Sequence, residues 1–238
     1  MTRGAVHLVG VGPGGAGTLT QEAYAAIRSA RELWCLDLGP PGHERAFLRP
    51  LLAGKKVVNL SPAYALPDLD RGRLYRQIAE RLIHLATRGR SITFLFSGNP
   101  LIWVDIPEML KRASRAGRLD LRISPAVSFV DAIWEDAPIH GGEFQLRAGR
   151  VTEPNISPAL DTVVGQISEE GELPLCHELR RLFGLAHPVF VTGIYPQHGE
   201  RQSILTEVAG LPLVLPQFRG LFYAVIIPKK GARSVRSG

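Results

Sequence analysis

The stretch Val6-His7-Leu8-Val9-Gly10-Val11-Gly12-Pro13-Gly14-Gly15-Ala16-Gly17-Thr18-Leu19-Thr20 decides how the chain is read. An apolar run breaks into a glycine-dense turn, and a helical pattern then begins near Gln21, with Ala23, Ala26, Ile27 and Ala30 at the i, i+3, i+4, i+7 spacing. Strand, glycine turn and helix in that order open an α/β unit, and backbone without side chains lets a ligand or another segment come close. Thr18 with Gln21 three residues later fits a capping box.

Gly10-Val-Gly12-Pro-Gly14-Gly15 also satisfies G-x-G-x-x-G, and Asp37 ends the second strand where an acid would bind the ribose of a dinucleotide. An NAD-dependent oxidoreductase is therefore one reading. Two details oppose it. A pyrophosphate needs the helix N-terminus to emerge from the glycines, whereas Thr18, Leu19 and Thr20 intervene, and Pro13 removes an amide that would cradle phosphate.

Working outward, strands are expected at Leu33 to Leu38, Val57 to Leu60, Ile92 to Phe96 and Leu119 to Ile123, with helices over Arg71 to Thr87 and Pro107 to Ala116. This alternation implies a mostly parallel sheet, with any ligand beyond the carboxyl ends of its strands. After Ser124-Pro125 the texture changes. A helix near Ser128 to Glu135 precedes strand candidates at Glu143 to Leu146, Asp161 to Ile167, Val189 to Thr192, Ser203 to Val208 and Leu221 to Ile227, with helix around Leu175 to Leu185. The expected organisation is an N-terminal α/β domain over 1–122, a C-terminal α+β domain over 123–228 and a basic tail over 229–238.

Composition narrows the classes. At 238 residues, with 45% apolar and 21% charged residues, the chain has material for one large or two small cores. Cys35 and Cys176 form no CxxC pair and the seven histidines show no paired metal spacing, so neither a disulfide framework nor a metal site is expected. No apolar run approaches the ~20 residues of a membrane span, and no signal-peptide core is seen, so a reducing, cytoplasmic setting is expected. The formal charge of +6 is scattered along the sequence, which reads as a solvated basic surface rather than a nucleic-acid site.

Three loops together resemble the tetrapyrrole methylase superfamily, whose members use S-adenosylmethionine and release S-adenosylhomocysteine. They are a GxGPG loop followed by Leu-Thr (Gly10 to Thr20), a Ser-Gly-Asp-Pro-like loop (Ser97 to Pro100) and a Pro-Gly-Ile-Ser-like turn (Pro125-Ala126-Val127-Ser128). The resemblance implies a two-domain α/β fold with the cofactor in the cleft between domains, usually in a homodimer. It implies cofactor contacts at Ser97, Gly98, Asn99 and Ile102, at Ser128 and Phe129, and at Gln166 from the second domain, with Pro13 near the point where methyl donor and acceptor meet. Asn99 and Ala126 depart from the usual Asp and Gly.

A narrower resemblance rests on Tyr64, Arg71 and Tyr75. The borosin branch, peptide backbone α-N-methyltransferases, carries a Tyr-Arg-Tyr set here, and Asp161-Thr-Val-Val-Gly-Gln166 is similar to that branch's second-domain strand. The loop Ser97-Gly-Asn-Pro100 departs from it. Arg71 and Tyr75 have the i, i+4 spacing of one helical face. An amide nitrogen attacks only after losing its proton. A tyrosine, with an ordinary pKa of about 10, is a better base beside a guanidinium. The resemblance therefore implies backbone N-methylation of a separate precursor peptide, because the basic C-terminal residues hold no core peptide. Methylation of a tetrapyrrole intermediate is the alternative on the same fold.

Overall fold

The computed structural model describes residues 3–36, 46–64, 70–134, 142–148, 155–194, 202–219 and 222–231. These fall into two compact units, Met1–Ser128 and Phe129–Gly238.

The first unit is built on five parallel strands, β1 (Ala5–Gly10), β2 (Glu32–Leu36), β3 (Lys56–Asn59), β4 (Ile92–Phe96) and β5 (Asp120–Ser124), in the order β3-β2-β4-β1-β5. Its helices are α1 (Gln21–Ser29), α2 (Arg49–Leu52), α3 (Ser61–Tyr64), α4 (Arg71–Thr87) and α5 (Ile106–Arg115). The connections from β1 to β2 and from β2 to β3 run toward one edge, and those from β3 to β4 and β4 to β5 run toward the other. Parallel crossovers are right-handed almost without exception, so oppositely directed ones must cover opposite faces. The side chains obey this. Val9, Leu33, Cys35 and Leu95 pack with Ala23, Ala26 and Ile27 of α1. Val6, Leu8, Phe94 and Phe96 pack with Ile78 and Leu82 of α4 and Ile106 and Leu110 of α5. Burial on both faces explains why the central strands read as continuous apolar runs.

Helix α4 begins and ends as its periodicity predicts, with Asp70 accepting from the Arg73 amide at 3.0 Å. The cap of α1 differs from expectation. A short 3-10 turn over Ala16–Thr18 intervenes, so Thr20 takes the cap position and accepts from the Ala23 amide at 3.1 Å. The Thr18 hydroxyl instead donates to the Gly14 carbonyl at 2.8 Å. β5 runs through residue 122, where the domain boundary was expected, and as the edge partner of β1 it belongs wholly to the first unit. Asp37 lies outside the described residues, as does 232–238 of the expected tail.

The second unit has strands β6 (Phe144–Ala148), β7 (Asp161–Gly165), β8 (Pro188–Gly193), β9 (Ser203–Glu207) and β10 (Tyr223–Ile227), in the order β6-β7-β10-β8-β9. Only β6 and β7 pair in parallel. Helix α6 (Phe129–Trp134) packs on one face, and α7 (Glu169–Phe183) and α8 (Leu211–Val214) pack on the other. Helix α7 starts earlier than its apolar spacing suggests, because Gly171 and Pro174 interrupt the pattern. It is tied to β10 through the buried Glu172, which accepts from Arg219 at 2.9 Å and from the Tyr223 hydroxyl at 3.2 Å. No helix among the described residues is long and apolar enough to cross a membrane.

Two predictions follow from the packing of β1. A Cβ on Gly10 would lie 2.7 Å from the Ala126 Cβ, the Gly98 carbonyl oxygen and the Pro100 Cδ, whereas one on Gly15 would meet nothing within 4 Å. Gly10→Ala is expected to cost about 3 kcal/mol in urea unfolding, and Gly15→Ala, strained only by its positive φ, about 1 kcal/mol. The His7 Nε2 lies 2.7 Å from the buried Ser124 hydroxyl, and burial, followed by the Arg122 charge, holds the imidazole below its ordinary value. The fold thus favours neutral His7. That stabilisation is complete above the unfolded-state pKa of about 6.5 and is lost as pH falls through the lower folded-state value. His7→Gln is expected to flatten the fall in urea midpoint measured as pH drops from about 6.5 to about 5.

Candidate functional site

At the carboxyl ends of β1 and β4 the two chains leave toward opposite faces of the sheet, the arrangement that opens a ligand crevice in parallel α/β proteins. Its base is closed by backbone. The Val11 amide donates to the Phe96 carbonyl at 2.9 Å, the Gly98 amide to the Gly12 carbonyl at 2.9 Å, and the Gly12 amide back to the Gly98 carbonyl at 3.4 Å. Gly12 (φ 77°) and Gly98 (φ 72°) both lie in the left-handed region, which glycine enters without penalty. At Gly12 a Cβ would also fall 2.5 Å from the Thr18 hydroxyl oxygen. Gly10 and Gly12 of the first loop therefore serve chain-to-chain contact.

Asn99 joins a third loop to this pair. Its Nδ2 donates to the Ala126 carbonyl at 2.9 Å, while its Oδ1 accepts from the Leu101 amide at 3.0 Å. An aspartate could accept from Leu101 but could not donate to Ala126. The departure from the usual Asp thus has a structural correlate: the amide ties the loop after β4 to the loop after β5. Both ends of the Asn99 side chain are thus engaged, and its carbonyl accepts from the Ile102 amide at 3.2 Å.

Pro13 is buried in the turn after the Gly12–Gly98 bridge; Ser97 and Ile102 are half-buried on either side of Asn99. Ser128, 6% exposed, closes the first unit. Phe129 opens α6 and packs with the Val163, Ala224 and Ile226 cluster of the second unit. Gln166 follows β7 with φ 54°. Positive φ at a non-glycine residue is uncommon and marks strain, and Trp103 (φ 57°), just beyond Ile102, shows it too. Nothing in the local sequence announces either position.

Tyr64 is the last residue of α3. Arg71 is the first residue of α4, half-buried, and Tyr75 lies one turn further on, 6% exposed. Tyr75 is buried in the cluster under α4, and because α4 follows the carboxyl end of β3 and returns the chain to the start of β4, its first turns lie toward the carboxyl edge of the sheet. Cys35 and Cys176 are both pushed up to about 11 by burial, which keeps them as thiols and not nucleophiles. Among the described residues no group of His, Cys, Asp and Glu could hold a metal ion.

The model of the family described as Tetrapyrrole (Corrin/Porphyrin) Methylases matches residues 5–182. The chain belongs to the tetrapyrrole methylase family. That membership places it among methyltransferases and not with NAD-dependent oxidoreductases. Similar solved structures include a uroporphyrin-III C-methyltransferase from Thermus thermophilus, 24% identical, covering 96% of this chain and 93% of that one with a TM-score of 0.69. A second structure of a Thermus thermophilus uroporphyrin-III C-methyltransferase, complexed with S-adenosyl homocysteine, is 18% identical, with 94% of this chain and 97% of that one covered at the same TM-score of 0.69. These likenesses establish the fold: the expected α/β arrangement of a parallel sheet followed by a second sheet unit is that of this family. No curated protein matches the chain in sequence.

If Asn99 is the tie between loops, Asn99→Asp should lower unfolding free energy by about 1–2 kcal/mol, because the Ala126 carbonyl then faces a carboxylate. Asn99→Ala should cost a similar amount. Chemical denaturation of the three proteins at neutral pH measures both, and an Asp variant as stable as the parent would remove the tie.

Proposed function

We propose that the chain is an S-adenosylmethionine-dependent methyltransferase that methylates backbone amide nitrogens of a separate peptide. The cofactor assignment is supported by the family and by the S-adenosyl homocysteine bound in a protein of the same fold. The donor set suits that molecule. The turns after β4 and β5 carry backbone amides and carbonyls together with the polar residues Ser97, Asn99 and Ser128, the kinds of group that pair with ammonium and carboxylate. Ser97, Gly98, Asn99, Ile102 and Ser128 of the first unit are the residues assigned to hold it. When bound, it supplies an electrophilic methyl group.

The acceptor assignment is carried by one observation: Arg71 and Tyr75 share a face on the first two turns of α4, at the carboxyl edge of the sheet. In the proposed mechanism Tyr75 acts as the phenolate that the neighbouring guanidinium favours, and its Oη takes the proton from the amide nitrogen of the acceptor. Negative charge then gathers on the amide oxygen, where Arg71 donates a hydrogen bond. The nitrogen, made nucleophilic, needs close in-line placement to take the methyl group. The low exposure of Tyr75 keeps competing water from the base.

A second reading, C-methylation of a tetrapyrrole intermediate, is favoured by the names of the proteins that share the fold. The two readings separate in one experiment. The enzyme is incubated with S-adenosylmethionine and either a short peptide encoded beside it or uroporphyrinogen III, and the products are examined by mass spectrometry. Mass increments of one CH2 localised to peptide backbone nitrogens support the first reading; increments on the macrocycle alone replace it. Under the first reading Tyr75→Phe should lower kcat by about a hundredfold or more while S-adenosylhomocysteine binding, followed by calorimetry, is unchanged.

A further inference from the structure

The chain's excess positive charge is scattered along the sequence, but the fold gathers it. Helix α4 carries Arg71, Arg73, Arg76 and Arg81 against Glu80, and α5 carries Lys111, Arg112 and Arg115 against Glu108. Seven basic residues against two acidic ones leave a surplus of five, where the whole chain has +6. Both helices lie on the same face of the first sheet and pack against each other. Their buried residues, Ile78, Leu82 and Leu85 on α4 and Ile106 and Leu110 on α5, turn the remainder outward. Arg73, Arg76, Arg81, Arg112 and Arg115 are exposed, as is Arg88 at the end of α4.

Ordinary helix surfaces pair such charges at i+3 or i+4. Here Lys111 is the basic residue bonded to Glu108, at 2.6 Å. Arg73, Arg76, Arg81 and Arg88 make no ion pair among the described residues, although Glu80 lies within reach of α4's own spacing. An unneutralised row of guanidinium groups repels itself, and planar anions, carboxylates among them, are the partners whose geometry a guanidinium fork matches.

We propose that the outer face of α4 and α5 docks an acidic segment of a partner polypeptide. Arg73 to Arg88 spans about 22 Å at the helical rise, the length of an extended acidic stretch of about seven residues. A polypeptide fits better than nucleic acid. The exposed residues of both helices include no Phe, Tyr or Trp on which bases could stack. Helix α4 also begins with Arg71 and Tyr75, so a segment held along it leads toward the acceptor site. That the docked segment belongs to the methylated peptide rests on the acceptor reading above; the docking itself does not.

The test is fluorescence anisotropy of a labelled twelve-residue polyglutamate peptide titrated with the full chain. Saturable binding that weakens as salt rises from about 50 mM to about 500 mM is expected. Arg76→Glu/Arg112→Glu should weaken it about tenfold or more, while Arg31→Glu/Arg49→Glu, an equal charge change at exposed residues elsewhere in the first unit, should change it by less than about threefold. Circular dichroism confirms that both variants fold. Three results overturn the proposal: no saturable binding at low salt, equal loss in the two variants, or tighter binding of a single-stranded oligonucleotide of equal charge. Each is independent of turnover. Peptide methylation without polyglutamate binding sinks only the docking, and binding without methylation of any peptide sinks only the acceptor reading.

Discussion

The first unit depends on a close approach of bare backbone at the carboxyl ends of β1 and β4. Gly12 and Gly98 exchange hydrogen bonds, and Gly10 lies where a single methyl group would collide with Gly98, Pro100 and Ala126 at once. Three loops therefore meet at one point, the first two through bare backbone and the third through the Asn99 side chain. The consequence reaches beyond the turn. With the loops locked to one another, the polar backbone of Ser97 to Ile102 is held by the sheet, and precision at a binding site comes from such support.

The crossovers fix where that point lies. Because the chain leaves β1 across one face and β4 across the other, the adjacent strand ends diverge and a crevice must open above them. The Gly12–Gly98 bridge then supplies its floor. Helix α4, returning from the carboxyl end of β3 on the face opposite α1, buries Tyr75 in the apolar cluster beneath it. Fold and proposed chemistry meet there: the same apolar cluster that stabilises the sheet sets the position of the proposed base.

Much of this is legible in the sequence where local rules suffice. The Asp70 cap and the Leu74, Ile78, Leu82, Leu85 spacing define α4, and the apolar run from Ile92 to Phe96 defines β4. Legibility fails where a second signal competes or where contacts are distant. Thr18 and Thr20 both suit a cap, and only the intervening 3-10 turn selects Thr20. Gly171 and Pro174 hide the first turns of α7. Asn99 reads as an imperfect match to a motif, because its partner carbonyl is at Ala126 and no local pattern links the two. The positive φ angles at Trp103 and Gln166 are imposed by tertiary structure and have no glycine to announce them.

Charge is the strongest case of information that exists in the sequence and becomes readable only in the fold. Residue by residue, the arginines of 71–115 alternate with apolar positions and resemble any solvated helix surface. The apolar positions must face the sheet, so the arginines must face away, and two helices on one sheet face align their outer surfaces. Core packing and surface charge on α4 are thus one constraint seen from two sides. Burying Tyr75, Ile78 and Leu82 obliges Arg73, Arg76 and Arg81 to project outward. A helix under both demands cannot rotate to relieve either, which joins the inner face of α4, assigned here to chemistry, rigidly to the outer face assigned to docking.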